Sequence, residues 1–178
     1  MFSLSEIEAQ CKKAAKGFGY SWGIAEEAGI LARNLSEIGL PGPDVVYKNL
    51  NYYDNSEITY LTSIEDMFLA NDYPVSGFLV GVSIIDRIQL IEKNLSWKLG
   101  NIVAPLAIAG VLLRLKGTYY SFFLEWENCR IHLNQYGFKI LGRNINPEIV
   151  EKIEINVKQS EQISKVEFFE KCEVSDLV

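Results

Sequence analysis

The sequence contains a single histidine, His132, and only three cysteines. Any Ser-His or Cys-His nucleophilic mechanism must therefore run through that one imidazole. Cys11, Cys129 and Cys172 are far apart and odd in number, with no CxxC pair and no histidine at metal-ligand spacing. That pattern excludes a zinc site and a disulfide framework, and the thiols are expected to be reduced and mostly buried in a cytoplasmic protein. Long apolar runs are also missing. The longest, Ile102 to Leu113, is twelve residues with Pro105 inside it, against the roughly twenty a spanning helix requires, so no membrane segment is expected. The opening Met1-Phe2-Ser3-Leu4-Ser5-Glu6 has neither a basic region nor an apolar one, and no signal peptide is expected. Positive charge is sparse: the net charge is -6, the pI is near 4.9, and Lys12, Lys13 and Lys16 form the largest basic group. Such a chain repels phosphate backbones, which argues against nucleic acid as a partner. Glycine-rich phosphate loops and calcium loops are absent, and Gly77 with Gly81 is not a phosphate-binding spacing, so neither cofactor nor metal is expected.

What remains is an ordinary globular composition, 48% hydrophobic and 22% charged over 178 residues. A chain of that length buries about two-thirds of its unfolded surface and needs no covalent staple. The expected organisation is a single domain over 1–178, with a helical hairpin at 1–43 and an α+β body at 44–178.

The hairpin carries the clearest signals. Ser3 and Glu6 form a capping box, with Phe2 and Ile7 placed as its hydrophobic staple, and Leu4, Ile7, Cys11, Ala14 and Phe18 recur at helical spacing. Lysines crowd the end of that helix, where cations complement the dipole, and Gly17 or Gly19 stops it. A second helix starts at Ser21, keeps Ile24, Ala28, Leu31, Leu35 and Ile38 on one face, and ends at Gly39-Leu40-Pro41-Gly42-Pro43.

From Asp44 to Pro74 the periodicity weakens; a short strand over 57–61 and a helix capped at Ser63 to Asp66 are the readings available there. Val75 to Asp86 suits a helix pressed against a neighbour, with a strand as the alternative given its valines and isoleucines. Ile102 to Leu113, apolar all round, predicts a buried central helix from about Asn101 to Leu115 with Asn101 as N-cap and Pro105 in the first turn. Tyr120 to Trp126 and Cys129 to Leu133 alternate on either side of Glu127-Asn128. A two-residue turn there pairs Trp126 with Cys129, Leu124 with Ile131 and Phe122 with Leu133 on one face, and Glu125 with Arg130 and Phe123 with His132 on the other. Phe138 and Ile140 extend an antiparallel β meander, Ile153, Ile155 and Val157 alternate as another strand, and Ser164 with Glu167 caps a short helix ending near Cys172.

Leu4-Ser5-Glu6-Ile7-Glu8, Lys13-Ala14-Ala15-Lys16-Gly17 and, above all, Ser21-Trp22-Gly23-Ile24-Ala25-Glu26-Glu27-Ala28-Gly29 closed by Gly39-Leu40-Pro41-Gly42 resemble a bacterial family classed as a domain of unknown function. Weaker echoes follow at Gly81 to Asp86, Val103 to Leu106 and Leu124 to Trp126. The hairpin also resembles the N-terminal arm of the non-Rossmann malate and lactate dehydrogenases. Leu40-Pro41-Gly42-Pro43-Asp44 stands where that family has its Arg-Gly and Ser-His motif, so no catalytic residues carry over.

Trp22, Gly23, Glu26 and Glu27 are the candidate ligand-binding residues. An indole beside carboxylates suits a cationic or amine-bearing metabolite, and glycines inside a helix, Gly23 and Gly29, imply that something approaches the backbone. The plainer accounts are acids favouring a helix N-terminus and close helix packing. Lys12, Lys13 and Lys16 read as a solvated face, and His132 as structural. The functional expectation is a cytoplasmic accessory or small-metabolite-binding protein associated with a metabolic enzyme; the alternative is a small-molecule enzyme using Glu26 or Glu27 as general acid/base. Nine tyrosines, nine phenylalanines and three tryptophans favour an interface, and hence a homodimer or a hetero-complex.

Overall fold

The computed structural model describes residues 2–54, 73–90 and 94–159. The strand expected over 57–61, the cap at Ser63 and the helix expected between Ser164 and Cys172 lie outside these residues. The fold is α+β, with N-terminal helices followed by a mixed six-stranded sheet.

Helix α1 (Leu4–Phe18) begins with the complete Ser3/Glu6 capping box and ends at Gly19, whose φ of 115° only glycine adopts without strain. The Ser3 amide and hydroxyl both donate to the Glu6 carboxylate and hold its pKa below the ordinary value. Phe2 stays 77% exposed, so the expected staple contributes little. Helix α2 (Trp22–Glu37) starts at N-cap Ser21, whose hydroxyl accepts from the Ile24 amide. It buries Ala25, Ala28, Leu31, Ala32 and Leu35.

The proline-rich stop after α2 is also a start. Helix α3 (Gly42–Tyr53) begins there with Pro43 in its first turn, where a missing N–H costs nothing. Its first residue must be glycine on steric grounds, since a Cβ on Gly42 would lie 2.0 Å from the Ala32 carbonyl oxygen of α2. Buried Asn49 on α3 ties three segments together: its carbonyl accepts from the Tyr20 hydroxyl at 3.2 Å and its amide donates to Ser76 Oγ at 2.7 Å. Ser76 is in turn the N-cap of α4 (Gly77–Asp86), which follows the two-residue strand β1 (Val75–Ser76). Both alternatives for this stretch therefore hold in part. A Cβ on Gly81 would meet Val111 Cβ at 2.9 Å, the close helix contact anticipated for it.

The central helix is shorter than expected. Strand β2 (Asn94–Val103) continues through Ile102 and Val103, and α5 spans only Leu106–Leu112, with Pro105 just ahead of it. Asn101 is thus a strand residue with φ 50° rather than an N-cap. Ile102 and Val103 extend the strand because they are paired on both sides, with Val75 and Ser76 of β1 and with Val150 and Ile149. All seven residues of α5 are buried, and the Asn34 side chain donates to the Gly110 carbonyl at 3.1 Å.

Strands β3 (Tyr120–Trp126), β4 (Cys129–Asn134) and β5 (Gly137–Gly142) form the expected meander, and Trp126 pairs with Cys129. Strand β6 (Ile149–Gln159) does not extend it beyond β5. It inserts between β2 and β3, giving the order β1-β2-β6-β3-β4-β5, in which only β1 and β2 are parallel. Alternation then sorts the side chains. Trp97, Leu99, Ile153, Ile155, Phe122, Leu124, Trp126 and Ile131 join the apolar residues of the helices in one buried cluster. Each large side chain so buried contributes roughly 1.5–3 kcal/mol.

Candidate functional site

Trp22, Gly23, Glu26 and Glu27 lie in the first two turns of α2. Trp22 is 64% exposed, with Lys12 Nζ at 5.7 Å and Lys16 Nζ at 5.3 Å from its ring centroid. The cation that an indole attracts is thus supplied by α1 itself, a contact worth about 0.5–1 kcal/mol on a surface. Glu26 pairs with Lys12 at 2.5 Å, and Glu27 takes both its oxygens to Arg114, just beyond α5. Both acids therefore act as ties from α2 to its neighbours, and neither belongs to the helix's first turn. The two glycines differ: a Cβ on Gly29 would sit 2.7 Å from the Glu8 carbonyl oxygen, a close helix contact, whereas one on Gly23 would meet nothing within 4 Å. None of the four candidate residues lines the three cavities described next.

Two of those cavities, one beside Leu112 and Phe122 and one beside Tyr20 and Asn49, each offer about 10 Å³, the room of a single water. The third offers about 190 Å³ and lies on the outer face of the sheet, away from the buried cluster. Two cross-strand rows build it. The register aligns Asn156, Phe123, His132 and Lys139 across β6, β3, β4 and β5, and aligns Glu154, Glu125, Arg130 and Leu141 in the next outward row. Leu124 and Ile131, whose side chains are buried in the core, complete the lining between the rows.

The first row presents a ring wall. Phe123 and His132 stack with centroids 4.1 Å apart and planes 16° from parallel, and Lys158 Nζ lies 5.4 Å from the Phe123 ring centroid. The second row presents an ion pair, in which Arg130 donates to Glu125 at 2.9 Å. Burial, and then the charges of Lys139 and Lys158, push the His132 pKa down to about 4. The imidazole is therefore neutral near pH 7 and carries one donor and one acceptor nitrogen. Cys129, on the opposite face of β4, cannot serve it as a nucleophile: the thiol is buried in the core, and burial pushes its pKa up to about 12.

Local alternation brought Phe123, His132, Glu125 and Arg130 to one face in the sequence reading. Lys139, Leu141 and Asn156 were missed, because their membership depends on which strands neighbour β4 and β3. The groove therefore belongs to an α+β protein and lies on the face of its mixed sheet opposite the buried cluster. Residues 2–71 match the model of a family described as "Protein of unknown function (DUF3726)", so the resemblance read from the hairpin stands at that level. The match takes in α1 to α3 and ends before β1, leaving the groove outside it. No curated protein and no solved structure matches the chain. No helix among the described residues is long and apolar enough to cross a membrane.

Proposed function

We propose that this chain is a cytoplasmic accessory protein that binds a small metabolite in the groove between the Phe123–His132 and Glu125–Arg130 rows. The observation that carries this reading is the groove's volume of about 190 Å³, set between a stacked ring pair and an ion pair. Ligand sites usually measure roughly 300–1,000 Å³, so the occupant is smaller than a nucleotide. Binding without turnover is favoured by the lining itself, which among the described residues holds no serine, threonine or cysteine side chain and whose imidazole stacks on Phe123. Exposed Trp22, Tyr47, Tyr73 and Tyr119 support association with a second copy or with a metabolic enzyme. The test is a small-fragment screen followed by amide NMR on the full chain. Bound fragments are expected to shift Phe123, Glu125, Arg130, His132, Lys139 and Leu141 together. A set of hits that all map to another surface overturns the assignment.

A further inference from the structure

We propose that β5 pairs with β5 of a second copy, antiparallel about a two-fold axis at Ile140, so that the two sheets join edge to edge. This gives a place to the association put forward above and stands whatever the groove binds. Strand β5 ends the strand order and is paired with β4 on one side only. Of the six described strands it alone has no buried residue. Natural edges are blunted by proline, by bulges or by several charges; this one has an unbroken register, no proline and a single charge, Lys139.

The hairpin decides which backbone groups are left over. Asn134 pairs with Gly137 across the two-residue loop 135–136, so these two exchange hydrogen bonds, and bonded and non-bonded pairs alternate from there. The backbone groups of Gly137, Lys139 and Leu141 therefore point to β4, and those of Phe138, Ile140 and Gly142 point out of the sheet. The Arg143 amide, bonded to the Asn128 carbonyl at 3.1 Å, continues the same alternation. Among the described residues no backbone group takes up the outward set.

Charge then selects the register. The antiparallel registers that overlap most of the strand place the two-fold at Lys139, Ile140 or Leu141. At Lys139 the axis sets that side chain against its own copy, and at Leu141 it sets Lys139 against Arg143; like charges directly opposite are destabilising. At Ile140 no like charges meet. Phe138 then lies opposite Gly142 of the second copy, where the missing side chain leaves room for the ring. Lys139 lies opposite Leu141, whose side chain is 44% exposed in one copy and is covered by the lysine stem. What counts for Lys139 is its position in the ladder, whatever its ammonium contacts within its own copy. The strand is thus complementary to itself, and pairing uses up both edges, so assembly stops at two. Leu141 also lines the groove, so the two grooves meet across the axis and each gains a wall from the other copy.

A ladder this short buries less surface than a tight complex, so the dimer is expected to dissociate with a Kd on the order of 10–100 µM. Sedimentation velocity of the full chain over roughly 5–500 µM, which spans that range, is expected to show a monomer–dimer equilibrium. Amide hydrogen exchange is followed at both ends of the series. Lys139 and Leu141 should be slow throughout, and Phe138 and Ile140 fast at the low end and slow at the high one. Ile140→Pro removes the two amides at the axis and no bond to β4, a change that edge strands accept, and is expected to abolish the dimer. Leu141→Lys keeps every backbone group, brings like charge against Lys139 twice, and is expected to raise Kd at least about threefold. A monomer at every concentration overturns the proposal, as does a dimer whose Phe138 and Ile140 amides stay fast, or a species larger than two copies. A dimer that Leu141→Lys leaves equally tight overturns the register at Ile140. Fragment binding in the groove is read separately, so its failure and the failure of this interface are told apart.

Discussion

His132 couples the groove to the stability of the whole fold. Its pKa is about 4 in the folded protein, lowered first by burial and then by Lys139 and Lys158, against 6.5 for an unperturbed imidazole. Above pH 6.5 both the folded and the unfolded chain hold the ring neutral, and the stability is fully present. As the pH falls from 6.5 toward 4 the unfolded chain takes up a proton that the folded one resists, so stability is lost across that window. The full shift corresponds to a loss of about 2 kcal/mol at pH 5 and about 3 kcal/mol at pH 4, and solvent screening around a half-buried ring leaves roughly half of each. Carboxylates titrate in the same range, so the informative quantity is the difference from His132→Phe, which keeps a ring beside Phe123 and cannot titrate. Urea unfolding of both proteins at pH 7 and pH 5 should show the variant gaining about 1 kcal/mol on the wild type as the pH is lowered. The single histidine also permits a direct NMR titration of the native ring, with a midpoint expected near 4. A native midpoint near 6.5, or stability curves that stay parallel between the two pH values, would refute the argument.

Gly42→Ala places a methyl group 2.0 Å from the Ala32 carbonyl oxygen, a backbone atom that cannot turn aside. The cost should reach the upper end of the range for overpacking, about 3 kcal/mol, read as a lower urea midpoint. A gain of about 0.5–1 kcal/mol, the ordinary benefit of alanine over glycine in a helix, would mean that α3 slides freely on α2. Asn49→Ala removes both the acceptor for Tyr20 and the donor to Ser76, and should cost about 2 kcal/mol. A double-mutant cycle with Tyr20→Phe is expected to show about 1 kcal/mol of coupling, and strict additivity would show that the 3.2 Å contact carries no energy.

The features legible in the sequence were those whose signals are local. The Ser3/Glu6 box, the Ser21 cap and the Gly19 stop lie within a few residues of the structure they specify. The β3–β4 register follows from two alternating runs and a two-residue turn. Helix α3 was missed because Asn49, Asn51, Tyr52 and Tyr53 are weak helix formers, and its buried positions include a polar side chain satisfied only by distant Tyr20 and Ser76. The boundary near Pro105 was misplaced because a continuous apolar run reads alike as buried strand and buried helix; pairing with β1 and β6 decided it. The partners of Trp22, Glu26 and Glu27, here Lys12, Lys16 and Arg114, were not legible because lone residues do not reveal what other elements bring against them. The groove is a property of the strand order, which no local pattern encodes.

The central position of β6 bears on how the molecule assembles. Its two neighbours, β2 and β3, do not pair with each other, so until residues 149–159 arrive the sheet consists of a two-strand fragment and a three-strand meander, each with an open edge. A ribosome-bound chain that has released only the first five strands holds its helices and two unjoined pieces of sheet. The joining step closes a loop of more than forty residues between β2 and β6, and such non-local pairing is slow. During that interval the edges of β2 and β3 are open to strands of other chains. Chaperone dependence and misassembly should therefore concentrate in the window between synthesis of β5 and docking of β6, and destabilising substitutions in β6 should lower soluble yield more than equally costly ones in α1.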